Sequence, residues 1–323
     1  MYLRFGAAIA ALAAAAASIV VAVTLVRSVP GPTSPSSSAP TAPASGGAPA
    51  ATVPGGRVAT PDEPGFPSPP EDAVVLAQEA GSRALALAVK PGIVRVSVLG
   101  TTGGGEAGLQ VSLQFGRGSE RRTDPCGAGC YQAEVNGMPD SPVTVRLGDA
   151  PYRFDLPRLP VRDATQIVQR ATGTWNALRT LVWHERLASS PTNALHTVYR
   201  AVAPHSLGYT IAGRSAAVII GGTRWDRAAP NAPWGRSIQD PPVRQPQPFW
   251  HDVADARLLG TGRLGAHRVW HVSFFDPSTP AWFEAWVDQA SGRTLELDMI
   301  AASHFMHDVY GPFDAPVRLA PPT

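Results

Sequence analysis

The sequence predicts an α+β protein, mostly antiparallel β, carried on an N-terminal transmembrane helix and a disordered stalk. Three observations carry this. Residues 5–26 form an uncharged, largely apolar run between Arg4 and Arg27. Residues 28–70 hold twelve prolines among Ser, Thr, Ala and Gly. Residues 71–323 then alternate short period-two segments with turn residues, broken by one helical pattern. Four segments follow: an anchor over 1–27, a stalk over 28–70, a first folded domain over 71–158 and a second over 159–323.

The anchor is read from length. The 22 residues from Phe5 to Val26 span about 33 Å as a helix, enough for a hydrocarbon core of roughly 30 Å. A cleavable signal peptide is the rival reading. Its apolar stretch runs to only about 7–15 residues and ends at a small-x-small site, whereas this run ends in Thr-Leu-Val-Arg. Either reading exports the rest of the chain, so the expected location is the cell membrane, single-pass, with the folded part extracytoplasmic. The stalk has too little apolar surface to offset its ordering entropy. As a coil it reaches about 35 Å, and its prolines lengthen it.

In residues 71–158, Ala84-Leu-Ala-Leu-Ala-Val and Ile93-Val-Arg-Val-Ser-Val-Leu are separated by the turn Pro91-Gly92. Leu109–Phe115, Tyr131–Val135, Val143–Leu147 and Tyr152–Phe154 follow, each bounded by Gly, Pro or Asp. Short strands at this spacing predict an immunoglobulin-like β-sandwich. Cys126 and Cys130 are the only cysteines. In an oxidising compartment they pair and pin a Gly-rich turn. Two thiolates alone are half a zinc site, and no histidine lies near them in the sequence.

In residues 159–323 a helix is predicted over 163–179, capped by Asp163, with Ile167, Val168, Ala171, Trp175 and Leu178 on one stripe. Strand patterns follow over 181–187, 194–201, 208–211, 216–220, 256–262, 267–275, 282–288, 294–302 and 304–310. Asp288-Gln-Ala-Ser-Gly supplies a hairpin connection. One helix before an antiparallel meander requires the sheet to bury a face on that helix or to curl around something. The segment Asp226–Phe249 reads as a long Pro-rich loop, either a lid or a rigid cover, with Trp234, Phe249 and Trp250 as anchors.

Charge excludes one class of partner. The net charge is +2, with Lys90 the only lysine, so no nucleic-acid footprint is present. Catalytic motifs are also missing. Gly260-Thr-Gly-Arg-Leu-Gly265 matches a dinucleotide fingerprint, but a strand and not a helix follows it, so it reads as a hairpin. No nucleophile elbow, phosphate loop or zinc-protease motif occurs. Glu185, Glu284 and Asp288 are scattered, and spacing alone does not pair them. A non-enzymatic protein is expected.

Two features remain for binding. All eight tryptophans lie beyond residue 159. Trp183, Trp225, Trp270, Trp282 and Trp286 are candidates to line an apolar cavity for a lipid-like ligand, with core packing the alternative. His304 and Met306 share one strand face in His304-Phe-Met-His307, and the soft thioether suits copper(I). Three converging ligands would be needed, and ordinary packing is the alternative.

The second domain resembles the LolA-type half-open barrel, a curved antiparallel sheet around an internal helix. The resemblance rests on the helix, the meander and four stretches: Val218-Ile-Ile-Gly-Gly-Thr-Arg-Trp-Asp, Val269-Trp-His-Val-Ser-Phe-Phe-Asp-Pro, Trp282-Phe-Glu-Ala-Trp-Val-Asp and His304-Phe-Met-His-Asp-Val-Tyr. It implies a carrier of lipids or lipoproteins, or an envelope sensor that binds a protein partner, and no catalysis. The two-domain region, with its Cys-Gly-x-Gly-Cys-Tyr turn, also resembles the exported part of copper-resistance-D-like membrane proteins of high-GC bacteria. That likeness implies a copper-handling accessory, although this chain has one expected span and not a multi-span transport part.

Overall fold

The computed structural model describes residues 68–157 and 161–323. The anchor, and the stalk apart from its last three residues, lie outside the described residues. Among the described residues no helix is long and apolar enough to cross a membrane.

Residues 74–154 form two facing antiparallel sheets. One is ordered β1-β2-β3-β7-β6, from β1 (Val74–Ala80), β2 (Arg83–Lys90), β3 (Ile93–Leu99), β6 (Asp124–Gly127) and β7 (Cys130–Glu134). The other is β5-β4-β8-β9, from β4 (Val111–Phe115), β5 (Arg121–Arg122), β8 (Val143–Leu147) and β9 (Ala150–Phe154). Leu85, Leu87, Val94 and Val96 of the first meet Leu113, Val143, Val145 and Phe154 of the second in one core. Cys126 and Cys130 are bonded, with Cα atoms 4.9 Å apart. The turn between them is tight: a Cβ on Gly129 (φ +66) would lie 2.4 Å from the Val98 carbonyl oxygen and 2.5 Å from Gly105 Cα. Only glycine fits there.

The rest of the chain builds one twelve-stranded sheet and one helix. The strands are β10 (Arg162–Asp163), β11 (Thr180–Ala188), β12 (Ala194–Val202), β13 (Ser206–Ile211), β14 (Ala216–Ile220), β15 (Thr223–Arg227), β16 (Gly235–Ile238), β17 (Ala254–Leu264), β18 (His267–Asp276), β19 (Ala281–Asp288), β20 (Thr294–Ala301) and β21 (His304–Phe313). Their order is β10-β17-β18-β19-β20-β21-β11-β12-β13-β14-β15-β16. The helix, α1 (Thr165–Ala177), is shorter than expected. Its N-cap residue is Ala164 and not the expected Asp163, which ends β10, although Asp163 Oδ1 accepts from the Thr165 N–H at 3.0 Å.

A flat sheet of this many strands spans about 50 Å, against about 10–12 Å for one helix. Yet Val168, Ala171 and Trp175 of α1 share a core with residues from β17 through to β14 in sheet order. The sheet therefore curls around the helix, forming a half-barrel with an inner and an outer face. The expected long loop is two things. Its first part is the β15–β16 hairpin. Residues 239–253, without regular secondary structure, fold back as a strap whose Val243, Phe249 and Trp250 join the inner core. The Gly260–Gly265 stretch is strand β17 and its turn into β18, as expected.

The outer face meets the sandwich. Ala73, Val75, Ala84, Ala86 and Ala88 pack on Ala188, Phe275, Trp282 and Phe305. The alternation in Ala-Leu-Ala-Leu-Ala-Val thus separates two interiors, leucines into the sandwich core and alanines onto the half-barrel. The side chain of Arg257, largely buried, adds a polar clamp between Asp72 at 2.5 Å and Asp163 at 3.3 Å. Replacing Ala86, which is 2% exposed, tests this contact. Ala86→Leu should lower stability by about 1–3 kcal/mol through overpacking, seen as an earlier urea midpoint. An unchanged midpoint would show that the two sheets are not in close contact.

Candidate functional site

The inner face is mostly apolar, with a polar cluster of Tyr209, Arg224 and Asp226 toward one edge and a buried acidic pair at its centre. In β11, Leu181, Trp183 and Leu187 face the core, and Glu185 shares their parity. In β21, Met306 and Tyr310 face the core with Asp308 between them. Glu185 and Asp308 are direct cross-strand partners. Both are buried, Glu185 at 6% exposure and Asp308 at 0%.

Tyrosines meet both acids. The Tyr199 hydroxyl donates to Glu185 Oε1 at 3.2 Å, and the Tyr310 hydroxyl donates to Asp308 Oδ2 at 2.5 Å. Trp183 stacks on Tyr199 with centroids 4.5 Å apart, and Trp175 of α1 meets Tyr310 edge-on at 5.0 Å. Further along, Tyr209 packs against Tyr199 and accepts a hydrogen bond from Arg224, which is paired with Asp226. Two buried atoms, Asp308 Oδ1 and Trp183 Nε1, have no hydrogen-bond partner among the described residues.

Burial disfavours charge on both acids. It raises Glu185 from an ordinary 4.5 to about 7, against the lowering effect of the Tyr199 hydrogen bond. Burial also lifts Asp308 well above the usual carboxylate range, and the neighbouring Glu185 lifts it further. The same burial and the two carboxylates push Tyr199 and Tyr310 well up. Two adjacent carboxyls in a dry interior do not both ionise readily, so the pair retains a proton near neutrality. A thiol or amine nucleophile does not adjoin them, since both cysteines are in the disulfide and Lys90 lies in β2 of the sandwich.

The five tryptophans expected to line one cavity divide between two faces. Trp183 and Trp270 are on the inner side, with the Arg170 guanidinium 5.8 Å from the Trp270 ring. Trp282 is on the outer side, in the contact with the sandwich. Trp286, also outer, stacks on His271 at 4.4 Å, and His271 Nε2 lies 2.8 Å from Glu284 Oε2. Trp225 pairs with Val218, whose neighbour Ile219 points inward, so Trp225 faces outward as well. Spacing shows which residues share a face and is silent on which face is concave. Trp175 and Trp250 fill the interior instead, bonded through their indole N–H groups to Thr294 and Thr172.

His304 and Met306 share the inner parity, and Met306 sits in the core opposite Met299. His304 Nδ1 lies 3.0 Å from the Ala302 carbonyl oxygen. His271 is on the outer face and does not join them, and His307, also outer, is 2.6 Å from Asp298. Among the described residues no group of three or more His, Cys, Asp or Glu converges as a metal site would require. A cleft of about 370 Å³ opens between sandwich and half-barrel, and it is half polar, with Arg153, Asp155, His271 and Glu284 beside Leu76, Phe154 and Leu259.

No protein-family profile matches the chain, and no curated protein does. Solved structures similar to it include LprF from Mycobacterium bovis, at 10% identity and a TM-score of 0.37, covering 49% of this chain and 96% of that one. An uncharacterized conserved protein from Thermus thermophilus is 14% identical, with a TM-score of 0.32 over 47% of this chain and 89% of that one. A LolA superfamily protein from Nitrosomonas europaea is 12% identical, with a TM-score of 0.24 over 50% of this chain and 96% of that one. Scores this low carry no conclusion about role. The comparisons lend no support to the copper-resistance-D-like resemblance.

The raised carboxyls give a signed pH effect. A group that holds its proton more tightly when folded stabilises the fold at low pH, and that contribution is lost as pH rises from the unfolded to the folded value. For Glu185 this window is about 4.5 to 7. The protein should melt higher at pH 5 than at pH 8. Glu185→Gln should flatten that difference and raise the pH 8 melting temperature by several degrees, on the order of 1 kcal/mol. An unchanged slope would show that Glu185 titrates normally.

Proposed function

We propose that this protein is a membrane-tethered, extracytoplasmic, non-catalytic carrier that holds a lipid or the acyl part of a lipoprotein between the half-barrel sheet and α1. The observation that supports this best is the strap. An apolar concave face wrapped around one helix is covered by residues 239–253, held through the side chains of Val243, Phe249 and Trp250. Its polar ties to the rest of the domain include Gln239 N–H to the Gly222 carbonyl at 2.9 Å, Gln245 N–H to the Pro204 carbonyl at 3.0 Å, His205 Nδ1 beside the Val243 carbonyl at 2.9 Å, Trp250 Nε1–H to Thr172 at 2.8 Å and His251 N–H to Asp276 at 2.7 Å, the His251 ring also lying 3.9 Å from that carboxylate. An irregular segment held this way opens at lower cost than a sheet strand, which gives up a whole ladder. Phe249 and Trp250 thus occupy the space an acyl chain would take. The carriers that the sequence resembles point the same way, and the run over 5–26 supplies the tether.

Native mass spectrometry of the chain, purified from a membrane-containing host, tests this reading. A co-purifying lipid mass at near-unit stoichiometry supports it, and a ligand-free protein that also fails to take up lipid from vesicles contradicts it. A mutational prediction follows from the strap. Trp250→Ala should raise the fluorescence of the neutral probe N-phenyl-1-naphthylamine several-fold by vacating the inner space. Trp225→Ala, on the outer face, should leave it unchanged. Equal responses would place the probe elsewhere.

A further inference from the structure

We propose that Glu185 and Asp308, with Trp183 beside them, form a subsite on the inner face that takes one organic ammonium group with an oxygen acceptor close by. The ligand class is therefore an amine-bearing amphiphile, its chain along the inner face and its head at the carboxyl pair. This rests on the carrier reading, because the pair is buried and only a displaced strap or helix admits a ligand.

The geometry comes first. Directly opposed residues in an antiparallel pair have Cβ atoms about 4.5–5.5 Å apart, and Glu185 and Asp308 are so placed. One ammonium can donate to both carboxyls at that separation. Each acid already accepts from one tyrosine, Tyr199 or Tyr310, and among the described residues neither has a basic partner. Arg224, on β15, is engaged with Tyr209 and Asp226.

The orphan atoms then specify complementary chemistry. Asp308 Oδ1 is an acceptor in the ionised pair and lacks a donor, while Trp183 Nε1 is a donor and lacks an acceptor. Trp183 and Glu185 are two positions apart on one strand, hence neighbours on one face. An ammonium a few bonds from an ester, hydroxyl or phosphate oxygen satisfies both atoms together. A simple fatty-acid carboxylate can accept from Trp183 Nε1 but gives Asp308 Oδ1 no donor, and it adds a third negative group to the site.

The electrostatics agree. The titratable groups around the pair are Tyr199 on β12, Tyr209 on β13, Tyr310 on β21 and, through the sheet, Asp298 on β20. The helix and strap contribute Trp175 and Trp250 to this core, neither of which titrates. Every charge these groups can acquire is negative, and the Arg224 guanidinium that touches Tyr209 from β15 is itself paired with Asp226. Without a cation the pair is neutralised in part by its retained proton. A bound ammonium replaces that proton, so binding releases a proton and strengthens as pH rises.

The test compares three amphiphiles with one chain length, dodecylammonium, dodecyl maltoside and dodecanoate, each below its micelle threshold. Titration calorimetry on the full chain at pH 7.5, in two buffers of different ionisation enthalpy, reads affinity and proton release together. The expected result is dodecylammonium binding at least about tenfold tighter than the other two, with proton release. The Glu185→Gln/Asp308→Asn variant should lose both the preference and the release while keeping its maltoside affinity. Circular dichroism checks its fold, and Glu185→Gln alone, expected to weaken both, serves if the double variant does not fold. Equal binding of all three, or a preference that survives the substitutions, overturns this inference and leaves the carrier reading standing, with water as the partner of the orphan atoms. Failure of all three to bind removes the carrier reading, and this inference falls with it.

Discussion

A twelve-stranded antiparallel sheet has two broad faces, and its apolar inner face must be kept from water. The inner face is too wide for one thirteen-residue helix unless the sheet bends, and the bend leaves a volume that small aliphatic residues cannot fill. Trp175, Trp250, Phe274, Phe283 and Tyr310 fill it, with Trp175 touching both Trp250 and Tyr310 edge-on and Trp250 meeting both phenylalanines. Aromatic rings supply much buried area with few rotatable bonds. The position of Tyr310, and through its hydroxyl that of Asp308, therefore depends on how the helix and strap close the curve.

Much of this was legible in the sequence because alternation is a local property. The meander, the helix stripe, the disulfide turn and the hairpin at Asp288–Gly292 each depend on residues close together in the chain. Three things were hidden. The β15–β16 hairpin lies in a stretch whose prolines and polar residues look like loop, and its pairing is decided by the sheet edge it extends. The tryptophan faces were obscured because the outer side of β18 and β19 mixes polar His271, Ser273 and Glu284 with Phe275, Trp282 and Trp286, and the sandwich that covers Phe275 and Trp282 is a long-range contact. The carboxyl pair spans 123 positions between Glu185 and Asp308 and becomes a pair only through strand order. One signal was present: an acid at the same parity as Leu181, Trp183 and Leu187 is an acid facing inward.

An inward acid is expensive unless something neutralises it. Here two acids face one another, each held by a tyrosine, in a region where the surrounding side chains are otherwise apolar. A structural salt bridge would have placed an arginine opposite, and this arginine-rich chain spends its arginines elsewhere. The arrangement preserves charge-forming capacity at the centre of a domain whose stability would be better served by leucine.

The alanine face between sandwich and half-barrel bears on how such proteins diversify. The sandwich's side of this contact is mostly single methyl groups and tolerates little enlargement, since Phe275, Trp282 and Phe305 fill the opposite side. The two halves are therefore poor building blocks for recombination. A sandwich taken from another lineage would need Ala84, Ala86 and Ala88 already in place, or the aromatic cluster of Phe275, Trp282 and Phe305 would hold it off. Exchange of either half on its own is what this contact resists.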